Sequence, residues 1–146
     1  MKRIVLTLFT LILIVTSCTS KPPETVGAVL KVTDGTVEKN YTADDLKALG
    51  ASQVVLNDVT YVGVTLKVLL QDAGIDPTGL SAVKAVAVDG FTANYDSSLF
   101  MREDTLVAYA RVDGSLAEDE MPFRMVLPDQ GGKLNPRQIT EIIAIP

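Results

Sequence analysis

Apolar positions change their pattern along this chain, and each pattern predicts a different kind of structure. Ile4 to Val15 is an almost unbroken hydrophobic run behind Lys2-Arg3. A basic start and about a dozen apolar residues are too few to span a bilayer as a stable helix and read as a secretory leader. Thr19 to Val26 is polar and contains Pro22-Pro23, the composition of a short extended stalk. From Gly27 onward short apolar runs alternate with turn residues, so folding is expected to begin there.

Within that folded part, Gly27 to Val32 and Thr36 to Tyr41 flank Asp34-Gly35, a two-residue hairpin signal that needs positive φ. Thr42, with Asp45 three residues on, offers a helix cap before Leu46, Ala48 and Leu49, and Gly50 is the stop. Leu66, Leu69, Leu70 and Ala73 recur at i, i+3, i+4 and i+7, which predicts a second helix with one apolar face ending at Gly74. Val83 to Val88, Phe91 to Tyr95, Leu106 to Val112, Arg124 to Leu127 and Ile139 to Ile145 are rich in β-branched and apolar residues and read as strands. Asp96-Ser97-Ser98 can cap a single turn through Leu99 and Phe100. Strands interleaved with two short helices and hairpin turns predict an α+β fold, a single domain over residues 27–146 with a mixed, largely antiparallel sheet.

The leader ends Val15-Thr16-Ser17-Cys18, and Cys18 is the only cysteine. These four residues resemble the lipobox of bacterial lipoproteins, which implies acylation of the Cys18 thiol and cleavage in front of it. A signal peptide over residues 1–17, a lipidated N-terminus and linker over 18–26, and an extracytoplasmic location anchored by lipid to the cell membrane or outer membrane follow from that resemblance. Removing Lys2 and Arg3 leaves eleven basic against eighteen acidic side chains, a formal charge of −7. A diffuse negative field with no basic block argues against nucleic acid. About 128 residues remain after Cys18, enough for one domain with a single core. With no histidine, Ser-His-Asp triads and His-ligated zinc or haem cannot be assembled.

Several short pieces occur in an order that resembles the sulfite-oxidase-like molybdopterin-binding domain. They are Tyr41 to Leu49, Gly63-Val64-Thr65-Leu66 through Gly74-Ile75, Val88-Asp89-Gly90-Phe91, Leu106 to Tyr109, Val112-Asp113-Gly114, Pro122 to Pro128, and Gly132-Lys133 leading to Ile142. The resemblance implies an α+β fold and, in catalytic members, oxidation or reduction of small oxoanions or sulfoxides at molybdenum. In those members a cysteine thiolate ligates the metal, in a segment that corresponds here to Ser52 to Tyr61. That segment contains no cysteine, and valine or leucine cannot replace a soft thiolate.

The resemblance also sets Arg124 in the family's Pro-x-Arg, near the groups that hold the pterin phosphate. Lys133 and Arg137 could add charge, and Gly131-Gly132 would let backbone amides approach an anion. The other reading of the same residues is an internal ion pair at Arg124 and a plain turn at Gly131-Gly132. Asp89-Gly90-Phe91 reads as a turn that could also put a carboxylate at a pocket mouth. Glu118-Asp119-Glu120 reads as a solvated loop, because consecutive carboxylates seldom converge on a cation. Tyr41, Tyr61, Tyr95 and Tyr109 read as packing residues.

Two functions stay open. One is a binding module without redox chemistry, expected to need no cofactor, whose partners are the membrane lipid at Cys18 and a small anionic ligand or envelope protein. The other is a reduced oxidoreductase, or the cofactor-binding subunit of a redox complex, that still holds molybdopterin.

Overall fold

Asp34-Gly35 turns the chain into its first antiparallel pair, β1 (Leu30–Thr33) with β2 (Glu38–Tyr41), Leu30 facing Tyr41. The computed structural model that shows this describes residues 27–146; the leader, Cys18 and the linker lie outside the described residues. The connection has four residues where two were expected. The Asp34 carboxylate accepts from the Thr36 and Val37 amides, and of the four only Gly35 takes a positive φ, 87°.

Helix α1 (Ala43–Ala48) starts at the expected capping box: Thr42 accepts from the Asp45 amide, and the Asp45 carboxylate accepts from the Thr42 amide. Next comes a hairpin that the sequence reading did not anticipate, β3 (Ser52–Leu56) and β4 (Val59–Thr65). Its two-residue turn places both Asn57 and Asp58 at positive φ, 52° and 63°, which Asn and Asp tolerate best after glycine. Helix α2 (Leu66–Asp72) is capped by the Thr65 hydroxyl and buries Leu66, Leu69 and Leu70 completely, as their spacing predicts.

Strands β5 (Ala82–Ala87) and β6 (Thr92–Asp96) form the next hairpin, and the Asp96 side chain caps α3 (Ser97–Phe100). Strands β7 (Leu106–Arg111), β8 (Gly114–Ser115), β9 (Arg124–Val126) and β10 (Ile139–Ile145) complete the fold. The described residues thus hold three α-helices rather than two; the extra one is the single turn over Leu99 and Phe100.

Two sheets result. The first runs β2-β1-β10-β5-β6, with β10 inserted parallel to β1 and antiparallel to β5. The second runs β3-β4-β7, and the far edge of β7 is shared: β9 pairs with Leu106 to Ala108, and β8 with Ala110 and Arg111. The main core includes Leu30 and Val32 of β1, Val83 and Ala85 of β5, Tyr95 of β6, Ile142 of β10, Val107 of β7, and the three leucines of α2. A smaller cluster, beyond the single core expected, packs Val54, Tyr61, Leu106, Ala108, Leu116 and Val126. Strand β7 therefore carries apolar side chains on both faces over Leu106 to Ala108, which is why its sequence there is continuous rather than alternating.

Gly63 sits where β4 runs close against β7. A Cβ there would lie 2.1 Å from the Val107 carbonyl oxygen, and the strand register shifts between Val62 and Gly63. Only glycine permits that approach.

Candidate functional site

Strand β9 decides how the site is built. Side chains alternate across a strand, so Met125 enters the main core with Val107 while Arg124 and Val126 face the smaller cluster. That puts Arg124, a residue only 4% exposed, beside Tyr61 of β4, which stands opposite Arg111 of β7. Into this group comes Glu120 from the loop between β8 and β9, only 2% exposed.

One Glu120 oxygen accepts from the Tyr61 hydroxyl at 2.7 Å and from Arg124 Nη1 at 2.5 Å. The other accepts from Arg111 Nη2 at 2.7 Å and Nε at 3.1 Å, and from the Ala117 amide at 3.2 Å. Arg124 also stacks on the Tyr61 ring at 4.7 Å and donates through Nε to the Met125 carbonyl. Burial pushes the Glu120 carboxyl up, but the hydrogen bonds from Tyr61, Arg111, the Ala117 amide and Arg124 together outweigh it and hold the group at about 2. Burial, followed by the bond to Glu120, raises the Tyr61 hydroxyl. The expectation of a solvated loop at Glu118-Asp119-Glu120 is therefore corrected at its third residue. Arg124 four residues on, Arg111 nine residues back and Tyr61, distant in sequence, give Glu120 a polar interior to enter.

A cleft of about 800 Å³ lies against Arg124. One wall is the β3–β4 turn with Leu56 and Asn57, a second is the β5–β6 turn with Val88, Asp89 and Phe91, and the third is the loop after β9 from Gln130 to Gln138. In that loop the buried Asn135 side chain accepts from the Leu127 amide at 2.6 Å and donates to the carbonyls of Leu127, Gln130 and Gly131, fixing the loop's path. On the second wall, Asp89 accepts from the Phe91 amide at 2.9 Å and Gly90 takes φ 85°. The triplet is thus a turn and also lines the cleft.

Of the cations singled out in the sequence, Arg124 and Arg137 line the cleft with Gly131 and Gly132, whereas Lys133 does not. Arg137 is exposed and pairs with Asp119 across the rim. Arg124 is bound to Glu120. Both cleft arginines therefore have carboxylate partners from this chain. Two further phenols serve the fold, Tyr41 donating to Asp72 and Tyr95 to the Leu134 carbonyl, and Tyr109 packs partly buried against the main core. The buried role of Glu120 was not anticipated, and nothing local in Glu118-Asp119-Glu120 distinguishes it from its neighbours.

Two sheets over a shared core, with a cleft walled by the β3–β4 turn, the β5–β6 turn and the loop after β9, define the sulfite-oxidase-like molybdopterin-binding fold. The family described as the oxidoreductase molybdopterin binding domain matches residues 22–146, and the chain belongs to it. Among solved structures, the sulfane dehydrogenase SoxCD from Paracoccus pantotrophus is similar, with a TM-score of 0.63 and 21% sequence identity. The match covers 80% of this chain and 38% of that one, and at this identity it speaks for the fold alone. No curated protein matches the sequence.

The residues at the cleft do not fit the metal of that cofactor. The segment that corresponds to the family's cysteine-bearing stretch meets the cleft with Leu56 and Asn57. The chain has no histidine, its one cysteine precedes the domain, and no group of three or more His, Cys, Asp or Glu side chains converges among the described residues. Carboxylates, amides and carbonyls suit hard cations rather than a thiolate-ligated metal. A phosphate end would also have to displace a carboxylate of this chain from either cleft arginine.

Proposed function

We propose that this chain is a lipid-anchored extracytoplasmic binding module that uses the molybdopterin-binding fold without molybdenum chemistry. The observation that carries this reading is the donor set at the cleft: Leu56 and Asn57 stand in the segment where the resemblance expects a thiolate, and Glu120 takes the charge of Arg124. The anchor rests on the lipobox-like ending at Cys18. A protein with a cleft, an anchor and no redox donors is suited to holding a ligand or a partner at the envelope surface.

Family membership favours a second reading, a reduced oxidoreductase or cofactor-binding subunit whose site a partner completes. Elemental analysis and an absorption spectrum of the protein purified from a host that makes the cofactor decide between the two. The expected result is no molybdenum and no pterin absorbance; stoichiometric molybdenum would replace the first reading with the second. For the anchor, Cys18→Ala is expected to abolish incorporation of labelled fatty acid and leave unprocessed precursor. A variant that stays acylated and membrane-bound would sink the lipid tether.

A further inference from the structure

The cleft's arginines are engaged within the chain, Arg124 with Glu120 and Arg137 with Asp119, while Asp89, one oxygen of which is held by its own turn, keeps its negative charge. Apart from Asp89, what remains for a ligand is neutral. Asn57, Gln130 and Gln138 line the cleft, and their side chains hydrogen-bond to no other described residue. The Gly131 and Gly132 amides donate to no other described residue, and a Cβ at either position would meet nothing within 4 Å, so a ligand can approach the backbone closely. Opposite them Val88, 65% exposed, and Phe91, 42% exposed, leave apolar surface in water.

We propose that the cleft binds a short, uncharged peptide segment carrying an apolar side chain, a ligand class that rests on the binding-module reading above. Each free carboxamide offers a donor and an acceptor in one plane, which matches both halves of a backbone amide. Val88 and Phe91 supply the apolar wall on which such a side chain is buried. A volume of about 800 Å³ falls within the range of sites that enclose ligands of this size. A phosphate-bearing ligand meets no unpaired cation here and faces Asp89 and Asp119 at the same cleft.

The test is calorimetric titration of the full chain in lipid nanodiscs, with empty nanodiscs as the blank and three probes. These are acetyl-Gly-Phe-Gly-amide, the same peptide with alanine for phenylalanine, and the same peptide with phosphotyrosine for phenylalanine. The phenylalanine peptide is expected to bind about tenfold or more tightly than either of the others. Its affinity should change less than about twofold between roughly 0.05 and 0.5 M salt, because no ion pair is formed. Phe91→Ser, at a position 42% exposed, is expected to remove the preference for phenylalanine over alanine. Tighter binding of the phosphotyrosine peptide with a steep salt dependence would overturn the proposal in favour of an anion site. Protein that is free of molybdenum yet binds none of the probes would overturn the peptide assignment and leave the binding-module reading standing. Stoichiometric molybdenum would remove both.

Discussion

Replacing Glu120 by glutamine removes one negative charge from a buried group of two arginines and a tyrosine while keeping the side chain's size. In the native fold Glu120 receives five hydrogen bonds, and its carboxyl is held at about 2 against an ordinary 4.5. At about 1.4 kcal/mol for each tenfold change in proton affinity, that difference corresponds to roughly 3 kcal/mol of folding free energy at neutral pH. An independent route gives a similar size, since breaking a buried ion pair from one side costs about 3 to 5 kcal/mol. For a domain of this length the melting temperature should fall by on the order of 12 °C. The sign with pH follows from the depressed value: the contribution is fully present above pH 4.5, is lost as pH falls towards 2, and is absent from Glu120→Gln. Urea unfolding at pH 7 and across pH 5 to 2 measures both effects. A loss below about 1 kcal/mol at pH 7, or a variant that keeps the full acid-sensitive component, would refute the assignment of Glu120 as the buried counter-ion shared by Arg111 and Arg124.

Leu69→Ala removes a fully buried side chain of α2 and is expected to cost about 2 to 5 kcal/mol by urea unfolding; a loss under about 0.5 kcal/mol would put that face on the surface. Gly63→Ala forces a methyl group against the Val107 carbonyl oxygen, so a loss above about 3 kcal/mol or failure to accumulate folded protein is expected, whereas Gly131→Ala, with open space around it, should change stability by less than about 1 kcal/mol. Wild-type-like melting of Gly63→Ala would show that β4 and β7 do not approach as described.

Interactions confined to a few neighbouring residues were legible in the chain. Thr42 with Asp45, Thr65 before α2 and Asp96 before α3 cap their helices because the donor and acceptor lie within three residues of each other. The leucine spacing of α2 and the β-branched run of β10 likewise reveal themselves locally. The β3–β4 hairpin is not evident from the pattern, although Asn57-Asp58 is a turn signal, because Val54-Val55-Leu56 is a continuous apolar run rather than an alternating one.

By itself the sequence determined the helix caps, the apolar faces, the resemblance in the order of its motifs, and the lack of histidine or a second cysteine, since each depends only on residue identity at short range. Tertiary structure alone decided that β10 lies between β1 and β5, that Tyr61, Arg111, Glu120 and Arg124 converge, and that Lys133 stays off the cleft while Asn57, Phe91 and Gln138 line it. The physical reason is the same in each case. A carboxylate becomes buried only where distant strands bring enough donors together to replace water, and no local window of Glu118-Asp119-Glu120 contains Tyr61 or Arg111.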